Sequence, residues 1–118
     1  MQPCAKWQLP PEQDYEVVEH IWIPMQDGVR LSVRLWIPES ASKQPAPIVL
    51  EYIPYRKRDL YRFHDSAWGK ALASRGIAFA RIDVRGSGDS EGVMTDEYSE
   101  AEIADGMQCI EWLSQQDW

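Results

Sequence analysis

Two short, almost wholly apolar runs, PIVLEYI at residues 47–53 and IAFARIDV at 77–84, limit what this chain can fold into. Continuous apolar strands of this length belong in a sheet covered on both faces, because a strand with one wet face alternates instead. Between them, SAWGKALASRG (66–76) reads as a helix of two to three turns, with Ser66 as N-cap and Gly76 just past its last residue. Strand, helix, strand at this spacing predicts two parallel strands joined by a right-handed crossover.

The flanking segments extend this α/β reading. From Tyr15 the chain runs YEVVEHIWIP, MQDG, VRLSVRLWIP, with Asp27-Gly28 as a hairpin turn signal, so an antiparallel hairpin is expected over about 16–37. In its second arm Val29, Leu31, Val33 and Leu35 alternate with Arg30, Ser32, Arg34 and Trp36, which predicts one buried face. ESASKQPAP follows as a loop. After the second apolar strand, SEAEIADGMQCIEWLSQQ is a predicted helix with Ser99 and Glu102 as a capping box. Its expected core stripe is Ile103, Met107, Ile110 and Leu113. Residues 1–14, closed by Pro10 and Pro11, read as a polar arm, and 15–118 as one partial domain. A hairpin followed by β-α-β-α makes only half of a doubly covered sheet, and the last helix should lead into another central strand. The expectation is therefore a fragment of a longer protein, or a chain that hides an unpaired sheet edge by association.

Charge narrows the partners. A net charge of −7 over 118 residues disfavours phosphate backbones and anionic membranes, so neither nucleic acid nor membrane is expected as a partner. No apolar run approaches the ~18 residues of a membrane span, and the N-terminus lacks the basic start and apolar stretch of a signal peptide. Cys4 and Cys109 form no disulfide framework and fit no metal spacing, and Cys109 reads as a small buried apolar residue. A cytoplasmic location is the resulting expectation.

The stretch with most chemical character is RIDVRGSGDSEG, residues 81–92. As a phosphate cradle it fails: Gly92 falls one residue late for G-x-G-x-x-G, no helix begins directly after it, and its acids would repel a pyrophosphate. As a nucleophile elbow it also fails, since Ser87 lacks the outer glycine of G-x-S-x-G and no other serine here supplies that pattern. It reads instead as a tight turn permitted by Gly86 and Gly88 and tied down by Asp83 and Arg85. No cofactor is implied, and no Asp/Glu/His cluster reads as a metal site.

Here a family resemblance enters. EYIPYRKRD followed by RIDVRGSGDSEG resembles the N-terminal part of the CocE/NonD hydrolases, α/β-hydrolases related to cocaine esterase and the X-Pro dipeptidyl-peptidases. The hairpin turn MQDGVRLSVRLWIP and the helix EIADGMQCIEWLSQQDW resemble theirs too, so the likeness covers roughly residues 16–118. It implies an α/β-hydrolase sheet truncated before the nucleophile elbow. It also implies a serine hydrolase that cleaves small esters or amides, or X-Pro peptides, through an acyl-enzyme. On the residues alone Tyr55 is an interface aromatic, but the resemblance makes it, after Pro54, the hydroxyl that donates to the oxyanion. The resemblance also puts the catalytic Ser, Asp and His beyond Trp118, so the chain by itself is expected to be inactive.

The other polar residues have milder readings. His20, on the hairpin, is expected to be structural or solvent-facing, and His64 to sit in a loop before the first helix as a cap or rim residue. Arg56-Lys57-Arg58 reads as a solvated loop or rim, and Trp36 as a residue packed under a further domain. The alternative to an enzyme is a non-enzymatic module that works by association through its exposed sheet edge.

Overall fold

The computed structural model describes residues 9–53, 61–93 and 100–118, with Ile53 and Tyr61 described in backbone only. Four strands and two helices follow in the order β1 (Tyr15–Pro24), β2 (Arg30–Pro38), β3 (Ile48–Ile53), α1 (Tyr61–Ala73), β4 (Ala78–Asp83) and α2 (Glu100–Ser114). A single 3-10 turn, Glu39–Ser42, lies between β2 and β3. The sheet order is β1-β2-β4-β3: β3 and β4 are parallel, and β2 is antiparallel to both β1 and β4. Pro54, Tyr55, Arg56-Lys57-Arg58 and Ser99 lie outside the described residues.

The β1–β2 connection is a five-residue loop, Met25–Val29, whose ends are joined by Met25 N–H on Val29 O at 2.8 Å. Gly28 N–H donates to Met25 O at 3.0 Å, closing a turn, and Gly28 then takes φ 88°, the left-handed residue such loops need. Both faces of the sheet are covered. On one, Ile23, Leu31, Val33, Leu35, Ala80 and Ile82 pack with Cys109 and Leu113 of α2. On the other, Trp36 and Phe79 pack with Ala73 of α1, their rings 5.1 Å apart between centroids. β4 is the innermost strand, with all six residues buried.

Several expectations need correction. The polar arm of β2 does not face water: Ser32, Arg34 and Trp36 are as buried as Leu31, Val33 and Leu35, with α1 over Trp36 and Arg34 and with His20 and Ser90 against Ser32. Trp36 is therefore covered within this chain rather than waiting for a further domain. β3, expected to be covered on both faces, leaves Val49 42% exposed. It is the sheet's edge strand among the described residues. α1 starts at Tyr61, so Ser66 is no N-cap; its hydroxyl donates back to Arg62 O at 2.9 Å, one turn earlier. His64 accordingly sits on the helix and not in a loop. Gly76 does end α1, at φ 89°, with Ile77 N–H on Leu72 O and Gly76 N–H on Ala73 O, the paired bonds of a Schellman motif.

The core stripe assigned to α2 is also wrong in three of its four members. Ile103, Met107 and Ile110 are 60%, 68% and 60% exposed, whereas Asp105, Cys109 and Leu113 are buried. The polar arm is partly fixed: Gln13 N–H donates to Ser74 O at 2.8 Å, its Oε1 accepts from Ser40 N–H at 2.7 Å, and Arg75 donates to Pro10 O. Among the described residues no helix is long and apolar enough to cross a membrane.

α1 packs directly on the sheet at Gly69, where an added Cβ would overlap the Trp36 indole. Replacing a mid-helix Gly by Ala ordinarily gains about 1 kcal/mol in helix propensity. Here overpacking costs about 1–3 kcal/mol, so Gly69→Ala should lower the midpoint of chemical denaturation instead of raising it.

Candidate active-site loops

β4 ends at Asp83 and delivers the glycine-rich loop at its carboxyl end, where open α/β sheets place their sites. The loop is made of turns: Ser87 N–H donates to Val84 O at 2.9 Å and Ser90 N–H to Ser87 O at 3.1 Å, with Gly86 at φ 74° and Gly88 at φ 54°. Gly88 is required twice over, because a Cβ there would also run into the Asp83 carboxylate. That carboxylate, buried at the strand's end, accepts from Asp89 N–H at 3.0 Å.

The loop is then sewn to the hairpin. Ser90 Oγ donates to Asp83 O and accepts from Ser32 N–H at 2.8 Å, so its hydroxyl bridges β4 and β2. Glu91 N–H donates to Arg30 O, and Arg30 N–H returns to Glu91 Oε1, both at 2.9 Å. The Arg30 guanidinium forks onto the same carboxylate at 3.2 and 2.9 Å and lies 4.4 Å over the Trp22 ring. Arg30 holds the Glu91 carboxyl below its ordinary range. His20 Nδ1, on the neighbouring strand, is 2.8 Å from Ser32 Oγ, and its ring meets Trp22 edge-on.

Arg85 makes the strongest tie. Its Nε and one terminal nitrogen bond both oxygens of Asp105 on α2 at 2.8 and 2.9 Å, and its other terminal nitrogen reaches Asp27 at 2.8 Å. Three elements thus meet on one guanidinium: the β4 loop, α2 and the β1–β2 turn. Its hydrogen bonds to Asp105 and Asp27 push the Arg85 pKa up further, and Arg85 in turn lowers that of Asp27. α2 is also held to β3, where Tyr52 donates its hydroxyl to Glu102 O at 2.8 Å and its ring packs under Gly106. Burial raises the Tyr52 pKa, so the phenol stays a neutral donor. The buried Cys109 thiol is likewise pushed up to about 12, mainly by desolvation.

On the α1 side of the sheet lies a second charged group that sequence reasoning missed. The strand registers align Arg34, Arg81 and Glu51 across β2, β4 and β3, and Asp65 of α1 lies over them. Arg81 donates to Glu51 Oε2 at 2.8 Å and stands 3.6 Å from Asp65 Oδ1. Glu51, His64 and Asp65 bring ligand-type atoms within 4.8 Å of one another. The guanidinium already occupies that neighbourhood, and its fixed positive charge opposes a metal ion there. The signal that could have found this row was the pair of charges, Glu51 and Arg81, at like positions within two otherwise apolar strands. Elsewhere, a cavity of about 520 Å³ lined by Tyr15, Ile37, Pro38 and Trp118 opens at the opposite end of the sheet, away from these loops.

With this geometry in hand, comparison with known proteins is decisive. The family model for X-Pro dipeptidyl-peptidases (S15 family) matches residues 27–118, most of the chain. The chain belongs to this family. It is similar to the cocaine esterase of a Rhodococcus species, 31% identical over 107 residues, 89% of this chain and 18% of that protein. Its fold resembles a CocE/NonD family hydrolase from Staphylococcus aureus with TM-score 0.73 at 21% identity, covering 90% of this chain and 22% of that one. An α-amino-acid ester hydrolase superposes with TM-score 0.61 at 26% identity, covering 98% and 21%. The mixed sheet is thus part of an α/β-hydrolase fold of the CocE/NonD type, and the chain spans 18% of the length of the curated relatives it matches.

Because Asp105 is almost fully buried against Arg85, Arg85→Met leaves a carboxylate without its partner. That should cost about 3–5 kcal/mol in a denaturation experiment. Asp27→Asn, at the exposed end of the same clamp, should cost several-fold less. The pH dependence has a definite sign: the Asp27 carboxyl is depressed in the fold, so its contribution is complete above its ordinary pKa of 3.8 and fades as pH falls through the folded value. The Asp27→Asn variant should therefore lose less stability on acidification than the parent.

Proposed function

We propose that these residues form the N-terminal part of a serine hydrolase that cleaves esters or amides, including X-Pro dipeptidyl substrates, through an acyl-enzyme. Tyr55 donates its hydroxyl to the oxyanion, and Ser, His and Asp supplied from outside residues 1–118 carry out the covalent steps. The observation that carries this reading is the parallel pairing of Ile53 with Asp83. It makes the two carboxyl ends level, so the chain leaves β3 toward Pro54-Tyr55 beside the point where β4 enters the braced loop. Asp83, Arg85, Gly86 and Gly88 serve as the bracing and act on substrate only through what they hold. The matched family and the likeness to a cocaine esterase support the same class.

A second reading has one observation in its favour: β3 is an edge strand with Val49 exposed, so the chain works by pairing that edge with another copy. A discrete oligomer in a solution mass measurement, with no hydrolase activity in the full-length protein, would establish it over the enzyme.

For the enzyme, purified residues 1–118 should show no serine-reagent-sensitive turnover of p-nitrophenyl acetate, while the full-length protein turns it over. In that protein Tyr55→Phe should lower kcat by about 10²–10³ with little change in KM. Turnover by the 118-residue chain, or an unaltered kcat in the variant, sinks the reading.

A further inference from the structure

We propose that the layer between β2 and α1 holds an interior water site, in which ordered water joins the Asp65 carboxylate to the Arg34 guanidinium. Two side chains from different elements end there with polar atoms unanswered. Arg34 is 6% exposed, and its Nη1 donates to nothing among the described residues. Asp65 is 0% exposed, and neither of its oxygens accepts a hydrogen bond there. Buried groups of this kind are ordinarily paired, either with protein or with ordered water. Local structure explains why both are aimed at one layer. Asp65 lies four residues before Gly69, so it shares the face of α1 that meets the sheet, where Gly69 sits against the Trp36 indole. Arg34 and Trp36 are two apart on β2 and share the sheet face beneath that helix. The guanidinium lies 4.5 Å over the Trp36 ring, and its Nη2 and Nε are turned to Glu19 at 3.3 and 3.1 Å, which leaves Nη1 as the free corner.

Charge links the two groups across the layer. Burial pushes the Asp65 carboxyl up; Arg81 of β4, His64 of α1 and Arg34 of β2 oppose that rise, and Glu51 of β3 adds to it. Burial lowers the Arg34 pKa; Glu19 and Asp65 oppose that fall, and Arg62 adds to it. Yet no ion pair joins Arg34 to Asp65 among the described residues. Arg81, 3.6 Å from Asp65 Oδ1, supplies charge there without a hydrogen bond. A ligand that answers both groups must donate to a carboxylate and accept from a guanidinium. It must also carry no net charge, because the two guanidiniums oppose a cation and Asp65 with Glu51 opposes an anion. Water meets all three requirements, and a buried site with several polar partners is where interior water is retained.

The test is a crystal structure of the full-length protein at a resolution that shows ordered water. Expected is a water oxygen within about 2.5–3.2 Å of an Asp65 oxygen, reaching Arg34 Nη1 directly or through one further water. A dry layer, a direct Arg34–Asp65 pair, or protein donors on both Asp65 oxygens overturns the site. So does a cation at the ~2.0–2.6 Å of a metal–carboxylate contact. In solution, Arg34→Met and Asp65→Leu in the same protein should each lower the midpoint of chemical denaturation. The double variant should lose clearly less than the sum of the two, because neither polar group is then left to hydrate. Additive losses overturn the shared site. A single variant that does not fold while the double variant does is the same non-additivity at its extreme, and the crystal structure itself needs no variant.

Discussion

β4 is the constraint on which the rest depends. It is buried along its whole length, pairs with β2 on one side and β3 on the other, and separates the layer of α1 from that of α2. A strand so enclosed must satisfy every backbone group through its neighbours and offer apolar side chains to both layers. Ala80 and Ile82 do so toward α2, and Phe79 toward α1. Yet the same strand carries Arg81 and Asp83, and Arg85 follows directly. Those three break the apolar rule, and each is answered by a specific partner: Glu51 with Asp65, Asp89 N–H, and Asp105 with Asp27.

Replacing a buried ion pair by well-packed apolar residues is often neutral or stabilising, so such pairs are weak evidence that stability is their purpose. What they provide here is direction. Arg85 points one way, to α2 and the hairpin turn, and Arg81 the other, to α1 and the end of β3. Loops at the carboxyl end of the sheet are therefore tied to elements on both faces. Alternative packings of either helix leave an acid without its cation.

Much of the architecture was legible because it rests on periodicity and turn chemistry. The hairpin, the β-α-β order, the end of α1 at Gly76 and the turn at Asp27-Gly28 all follow from local signals that tertiary context did not override. The errors share one cause. Alternation in β2 and the stripe on α2 were read as buried-against-wet, but Arg34 is buried beside α1 and Ser32 against His20 and Ser90, while Ile103, Met107 and Ile110 face outward. Both apolar and polar residues in α2 recur at helical spacing, and the sequence alone does not say which face meets the sheet. Asp105 decides it, and an acid at a core position makes sense only once Arg85 is known to lie opposite. A similar blindness hid Ser90, whose hydroxyl is spent on Asp83 O and Ser32 N–H, contacts set by a residue 58 positions away.

The two clamps are not equivalent. Arg85 meets one buried and one exposed acid, so the hairpin end of its clamp can open into water at small cost while the α2 end cannot. Arg81 has no exposed side, and Asp65 beneath it is equally enclosed. Relaxation on the α1 face must then be taken up by Glu51, about a third exposed and at the edge of the sheet. Motion at this end of the molecule is thereby steered toward the hairpin turn and the outer edge of β3. The junction of β3, β4 and α1 is left with the least room to give, because Arg81 and Asp65 are both enclosed there.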